Sequence, residues 1–169
     1  MKYFFYISLL AICSCAKQNT VYEPENNFLT DNEMEVSKNR TKDLNNLERA
    51  QIEDWIKSQS IKYYPMGMNY WVNAENLDKF ERKNNGEKVS YEFYLYDFDR
   101  TKLYDQPLGN KDVILGRFHE LDAVVDAIRY MKSGQEVELL VPSVLAYGTY
   151  GDSKKISNDV PLIIKLKLL

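Results

Sequence analysis

The most regular pattern in the chain lies at its C-terminal end, where Val160, Leu162, Ile164, Leu166 and Leu168 alternate with Ile163, Lys165 and Lys167. Neighbouring side chains on a strand point to opposite faces, so this period of two predicts a strand packed on one side. Lys88 to Phe98 repeats the signature, with Val89, Tyr91, Phe93 and Leu95 on one face and Ser90, Glu92, Tyr94 and Tyr96 on the other. Val137, Leu139 and Val141 alternate with Glu136, Glu138 and Leu140, while Met68 to Val72 and Val113 to Leu115 read as shorter strands. One internal helix is predicted where Leu121, Val124, Val125, Ile128 and Met131 recur at helical spacing and stop before Ser133-Gly134. Asp99-Arg100 and Pro107 to Asn110 read as turns, with Tyr104-Asp105 in a short extended piece between them. Several strands around one short helix define an α+β domain with an antiparallel sheet.

Upstream the pattern changes. Leu44, Leu47, Ile52, Trp55 and Ile56 share one side of a helix whose other side is Asn, Glu, Arg and Lys. This N-terminal amphipathic helix, 44–62, is expected to lay its apolar stripe on the domain that follows, 63–169. Tyr63-Tyr64-Pro65-Met66-Gly67 turns the chain between the two. Residues 15–43 scatter single apolar side chains without a period, as a flexible tether does. Before them, Met1-Lys2 leads into a nearly continuous apolar run from Tyr3 to Ile12, and then Cys13-Ser14-Cys15. That run is shorter than the about 20 residues that cross a bilayer, and it fits a signal peptide over 1–14. A buried strand and an ordinary cleaved signal remain the alternatives.

Composition then removes whole classes of chemistry. A net charge of −3, with no basic block and no interleaving of basic and aromatic residues, gives nucleic acid nothing to bind. Thirteen tyrosines lean toward strands and pocket walls. The one histidine, His119, falls at a helix start and reads as a surface residue, and both cysteines lie in the leader region, so a zinc site lacks its ligands. Neither a dinucleotide-binding nor a P-loop glycine motif occurs. No metal and no cofactor is expected, and an enzyme built from this chain would work without metal or covalent intermediate.

Two resemblances add to this reading. Ile12-Cys13-Ser14-Cys15 resembles a bacterial lipobox, which implies lipidation of Cys15 and a membrane-anchored protein of the bacterial envelope facing the periplasm. Two or three acyl chains anchor stably where one is marginal. The stretches GEKVSYEFYLYDFDRTKLYD, LGRFHELDAVVDAIRYMKSGQEVELLVPSVLAYGTYGD and ISNDVPLIIKLKLL together resemble the FKBP-type peptidyl-prolyl isomerases. Gly86 and Val89, Tyr104-Asp105, Met131 with Gly134, Pro142, and Ala146-Tyr147-Gly148 follow that family's order of motifs. The lipobox, the tether, the preceding helix and the PSxxAYGxxGD stretch are most similar to the gliding-motility-associated lipoprotein branch.

The resemblance implies an antiparallel half-barrel sheet wrapped around a short helix, with a shallow apolar pocket for X-Pro segments of polypeptides. It implies that Tyr147 bonds a ligand carbonyl through its hydroxyl and that Asp105 is the pocket aspartate. Tyr104 takes the place of a phenylalanine, Phe93 that of a tyrosine, and Leu121 that of an aliphatic residue whose N–H meets the ligand. Val124 stands where many members have a tryptophan floor and Ile164 where they have a phenylalanine, so the expected floor is less aromatic. From the residues alone Tyr147 could also be a core tyrosine and Asp105 a turn cap, and Phe93, Leu121, Val124 and Ile164 would be apolar in any core. Gly148 and Gly151 are expected to meet backbone requirements, and Tyr150 to lie on the loop surface. The functions left open are an isomerase that assists folding of exported envelope proteins, an FKBP-like chaperone or binding module without catalysis, and a structural lipoprotein.

Overall fold

The computed structural model describes residues 30–169, so the apolar leader, Cys13, Cys15 and the tether up to residue 29 lie outside the described residues. Helix α1 spans Asp31–Ser58, followed by strands β1 (Tyr64–Pro65), β2 (Trp71–Val72), β3 (Lys88–Tyr96) and β4 (Leu108–Ile114). Helix α2 (Asp122–Tyr130) then leads to β5 (Glu136–Val141) and β6 (Leu162–Leu168). The six strands form one sheet in the order β1-β2-β5-β6-β3-β4, each pair antiparallel.

The final strand is the middle of this sheet. Leu166 lies opposite Phe93 of β3 and Val137 of β5, and Ile164 lies opposite Leu95 and Leu139. The inward rows of all three strands therefore meet on one face, where Ala123, Val124, Ala127 and Ile128 of α2 close the main core. The opposite face is also covered. Ile52 of α1, Tyr63, Trp71, Leu140 and Ile163 form a second apolar cluster, flanked by Trp55, Ile56 and Phe98. This second cover is why Leu140 and Ile163, on the polar side of their alternations, are buried too.

Charge on that face is neutralised in place. Glu138, a buried carboxylate on β5, accepts from the hydroxyl of Tyr63 and from Arg100 Nη1 at 3.2 Å, and forms an ion pair with Arg100 Nη2 at 3.1 Å. A buried carboxylate needs such partners to be tolerated. Arg100 in turn stacks over Trp55, whose indole N–H donates to the Phe98 carbonyl at 3.0 Å.

The structure corrects four of the sequence expectations. The helix begins at Asp31, well before residue 44, because Thr30 and Glu33 form a capping box in which each side chain accepts from the other's backbone N–H. The docking row is Glu48, Ile52, Trp55 and Ile56, spaced i, i+4, i+7 and i+8, while Leu44 and Leu47 stay exposed. Of the strand expected over Met68 to Val72 only Trp71–Val72 forms, paired with Tyr64–Pro65 of the expected turn, and Asn69 at φ 64° lets the chain reverse between them. Leu108–Asn110 belong to β4 rather than to a turn. Gly109 makes that pairing possible, since a Cβ there would lie 2.2 Å from the Tyr91 carbonyl oxygen.

Docking by one half of α1 predicts a sharp contrast between neighbours. Ile52→Ala should lower unfolding free energy by about 3 kcal/mol. Leu47→Ala should change it by less than about 0.5 kcal/mol. Urea denaturation of both variants checks this, and equal losses would contradict the docking described.

Candidate functional site

β5 leaves the sheet at Pro142, which has no N–H to continue the ladder. The chain then makes a 3-10 turn at Ser143–Leu145, passes Tyr147, and makes a second at Gly148–Tyr150. Gly148 and Gly151 both adopt left-handed φ, at +55° and +61°, and a Cβ on Gly151 would lie 2.1 Å from the Ile156 carbonyl oxygen. Only glycine lets the loop double back this closely. Tyr150 is 88 % exposed at the tip of the loop.

Asp152 locks the returning chain. Its Oδ1 accepts from the backbone N–H groups of Lys154, Lys155 and Ile156 at 2.9, 3.0 and 2.9 Å. Its Oδ2 accepts from the Tyr104 hydroxyl, which ties the loop to the segment after β3. Desolvation pushes the Asp152 carboxyl up, but the Tyr104 hydroxyl and the three amides outweigh it and hold the group below the usual aspartate range. Lys155 completes the contact by donating to the Leu103 carbonyl at 2.8 Å.

The facing wall comes from the start of α2. Glu120 Oε2 accepts from the Tyr91 hydroxyl at 2.9 Å, and Asn110 donates to that same hydroxyl oxygen at 3.1 Å. The Phe118 ring packs 5.6 Å from that of Tyr91. Glu120 Oε1 accepts from the Leu121 N–H at 3.1 Å.

Tyr147 stands between these two anchored groups. Its ring is half-buried against the main core, and Leu103, Tyr104, Phe118 and Leu121 are partly exposed residues that pack on the same core. Its hydroxyl makes no hydrogen bond with the described residues, whereas those of Tyr91 and Tyr104 are committed to carboxylates. Burial, with Glu120, Asp152 and Tyr104 adding to it, pushes the Tyr147 hydroxyl up to about 12. It is thus a neutral, half-buried donor.

Residues 80–169, more than half of the chain, match the family model for FKBP-type peptidyl-prolyl cis-trans isomerases. The chain belongs to this family. Its class of activity is therefore peptidyl-prolyl isomerisation of proline-containing polypeptides. The fold is similar to that of a peptidyl-prolyl cis-trans isomerase from Pseudomonas syringae pv. tomato str. DC3000, at 17 % identity and a TM-score of 0.53 over 76 % of this chain and 93 % of that one. It is also similar to FkpA from Escherichia coli, at 17 % identity and a TM-score of 0.54 over 83 % and 72 % of the two chains. A comparison with curated proteins finds no match.

Among the site residues expected from sequence, Tyr147, Tyr104 and Leu121 are partly exposed and pack against the main core, with Tyr104 close enough to Tyr147 to act on its hydroxyl. Phe93, Val124 and Ile164 lie within that core, at 1 %, 0 % and 0 % exposure. The Leu121 N–H is taken up by Glu120. Asp105 is exposed, and no hydrogen bond to its side chain occurs among the described residues; the aspartate that meets a site tyrosine is Asp152. Sequence reasoning missed Asp152, Glu120, Phe118 and Tyr91 as parts of the site. For Asp152 a signal existed, since an aspartate just after a turn glycine is well placed to cap backbone N–H groups. For Glu120 none did.

The raised Tyr147 value fixes a pH dependence. A hydroxyl whose value is raised stays protonated below about 12 and is lost as a donor only as pH rises through that value. The activity ratio of wild type to Tyr147→Phe should therefore hold steady from pH 7 to 10, where an unperturbed tyrosine is about half ionised. A ratio that halves by pH 10 would show the hydroxyl unperturbed.

Proposed function

We propose that this protein is a lipid-anchored prolyl isomerase of the bacterial envelope, which speeds cis/trans exchange at X-Pro bonds of exported proteins by non-covalent binding. The observation that carries the reading is the Tyr147 hydroxyl, half-buried, unbonded to the described residues and close to Tyr104, Glu120 and Asp152. Rotation about a peptide bond costs about 18–20 kcal/mol because resonance is lost. For X-Pro both isomers are accessible, yet exchange takes roughly tens to hundreds of seconds. The twisted transition state has a less polarised carbonyl than the planar ground state. A surface that strips water from that carbonyl, and offers one oriented donor, favours the twisted form. No nucleophile is required.

Within this reading Tyr147 donates to a substrate carbonyl and Tyr104 and Leu121 form the walls. Phe93, Val124 and Ile164 support the floor from below, and Asp105 stands on the rim beside Tyr104. Ile12-Cys13-Ser14-Cys15 supports lipidation at Cys15 after removal of 1–14, with the acyl chains as the membrane anchor facing the periplasm. The preceding helix and PSxxAYGxxGD support placing the protein in the gliding-motility-associated branch, with a client in an envelope motility or secretion machine.

A second reading is a binding module with little catalysis. It is favoured by the closed floor under the site and by the commitment of the Leu121 N–H to Glu120.

One measurement decides between these readings and a second tests the anchor. In a protease-coupled proline-isomerisation assay on the full-length protein, Tyr147→Phe should lower kcat/KM roughly fivefold, the value of about 1 kcal/mol for one hydrogen bond. Asp152→Ala should lower it at least as much and Asp105→Ala by less than twofold. Wild-type activity no better than background would leave the binding module. For the anchor, labelled palmitate should enter the wild-type chain in a bacterial host and not Cys15→Ser, and label in both would remove Cys15 as the acylation site.

A further inference from the structure

Helix α1 lies outside residues 80–169, the segment that matches the family, yet it reaches the loop that carries Tyr147. The reach is made by Glu48, a carboxylate only 9 % exposed. Its Oε1 accepts from the Ser143 backbone N–H at 2.6 Å and its Oε2 from the Ser143 hydroxyl at 2.8 Å. Both donors of Ser143, a residue itself 3 % exposed, are therefore committed to one side chain.

Ser143 is where the site loop begins. From it the chain closes a tight turn, in which the Leu145 N–H donates to the Pro142 carbonyl at 3.0 Å and the Ala146 N–H to the Ser143 carbonyl at 2.9 Å. Tyr147 follows directly on that turn, so the orientation of Ser143 is transmitted to it through hydrogen-bonded backbone. Beyond Tyr147 the loop is held by the Asp159 N–H donating to the Gly148 carbonyl at 2.9 Å, and by Asp152 with its three amides and Tyr104. Glu48 supplies the matching hold on the other side.

Docking of α1 does not account for this arrangement. Ile52, Trp55 and Ile56 already provide the apolar contact, and a carboxylate in the same row costs free energy unless its bonds are made. We propose that Glu48 is a positioning residue for the isomerase site: through Ser143 it sets where Tyr147 stands, and so makes the N-terminal helix a working part of the catalytic domain. This rests on the assignment of Tyr147 as the donor to substrate.

The test uses full-length protein, with kcat/KM measured per folded molecule well below the melting temperature and folding checked by circular dichroism. Glu48→Ala should lose roughly tenfold, within the range that a small misplacement of a catalytic group produces. Glu48→Gln should stay within about twofold of wild type. Its amide oxygen accepts the Ser143 N–H, and its NH2 donates to the hydroxyl, which rotates to accept. A Glu48→Ala enzyme that melts earlier but keeps wild-type kcat/KM would reduce Glu48 to a structural contact and overturn the proposal. So would a Glu48→Gln as impaired as Glu48→Ala, since charge rather than bonding geometry would then be at work. If Glu48→Ala does not fold, Glu48→Asp, too short to span both donors, takes its place with the same expected loss. Tyr147→Phe separates the two ideas. Wild-type activity in Tyr147→Phe removes the site assignment, whereas a normal Glu48→Ala beside an impaired Tyr147→Phe removes only the positioning role.

Discussion

β6 is bonded to β5 on one edge and to β3 on the other, and both its faces are covered. Its two-sided pairing makes the last residues of the chain the centre of the sheet, and β3 and β5 each gain one neighbour only from them. The long connection from Pro142 to Pro161 is fixed at both ends by strands of this pair. Tyr147 stands on that connection. The geometry of the site is thus a consequence of the β5–β6 pairing before it is a consequence of any local motif.

Two helices use the sheet in different ways. α2 presents small and branched side chains, Ala123, Val124, Ala127 and Ile128, and so lies close against the inward rows of β3, β5 and β6. α1 covers the other face with only its second half, through Ile52, Trp55 and Ile56. A sheet covered on both faces tolerates a buried carboxylate at Glu138 only because Tyr63 and Arg100 meet it there. The same rule applies to Glu48, whose partner is the loop itself.

The three tyrosines near the loop divide by what their hydroxyls meet. Those of Tyr91 and Tyr104 donate to Glu120 and Asp152, which fixes the two walls. That of Tyr147 meets no described residue, and burial keeps it neutral. Phe93, Val124 and Ile164 are buried within the core.

The alternations over β3, β5 and β6 and the helical spacing of α2 were legible in the chain, because the inward face of each element is buried in the main core and burial imprints its period, even where α1 also covers part of the outer face of β5 and β6. The residues of the PSVLAYGTYGD stretch likewise announced a loop with left-handed glycines, since that requirement is local. The start of α1 was also local, written in Thr30 and Glu33, though its capping box is easily passed over where no apolar stripe follows. What no period carried were the contacts between distant segments. Glu48 to Ser143, Tyr104 to Asp152 and Tyr91 to Glu120 each join polar residues far apart in the chain. A polar side chain looks solvent-facing in sequence unless its partner is known, so only the tertiary structure decided that these carboxylates hold the walls and the loop, and that Tyr147 is left with its hydroxyl open.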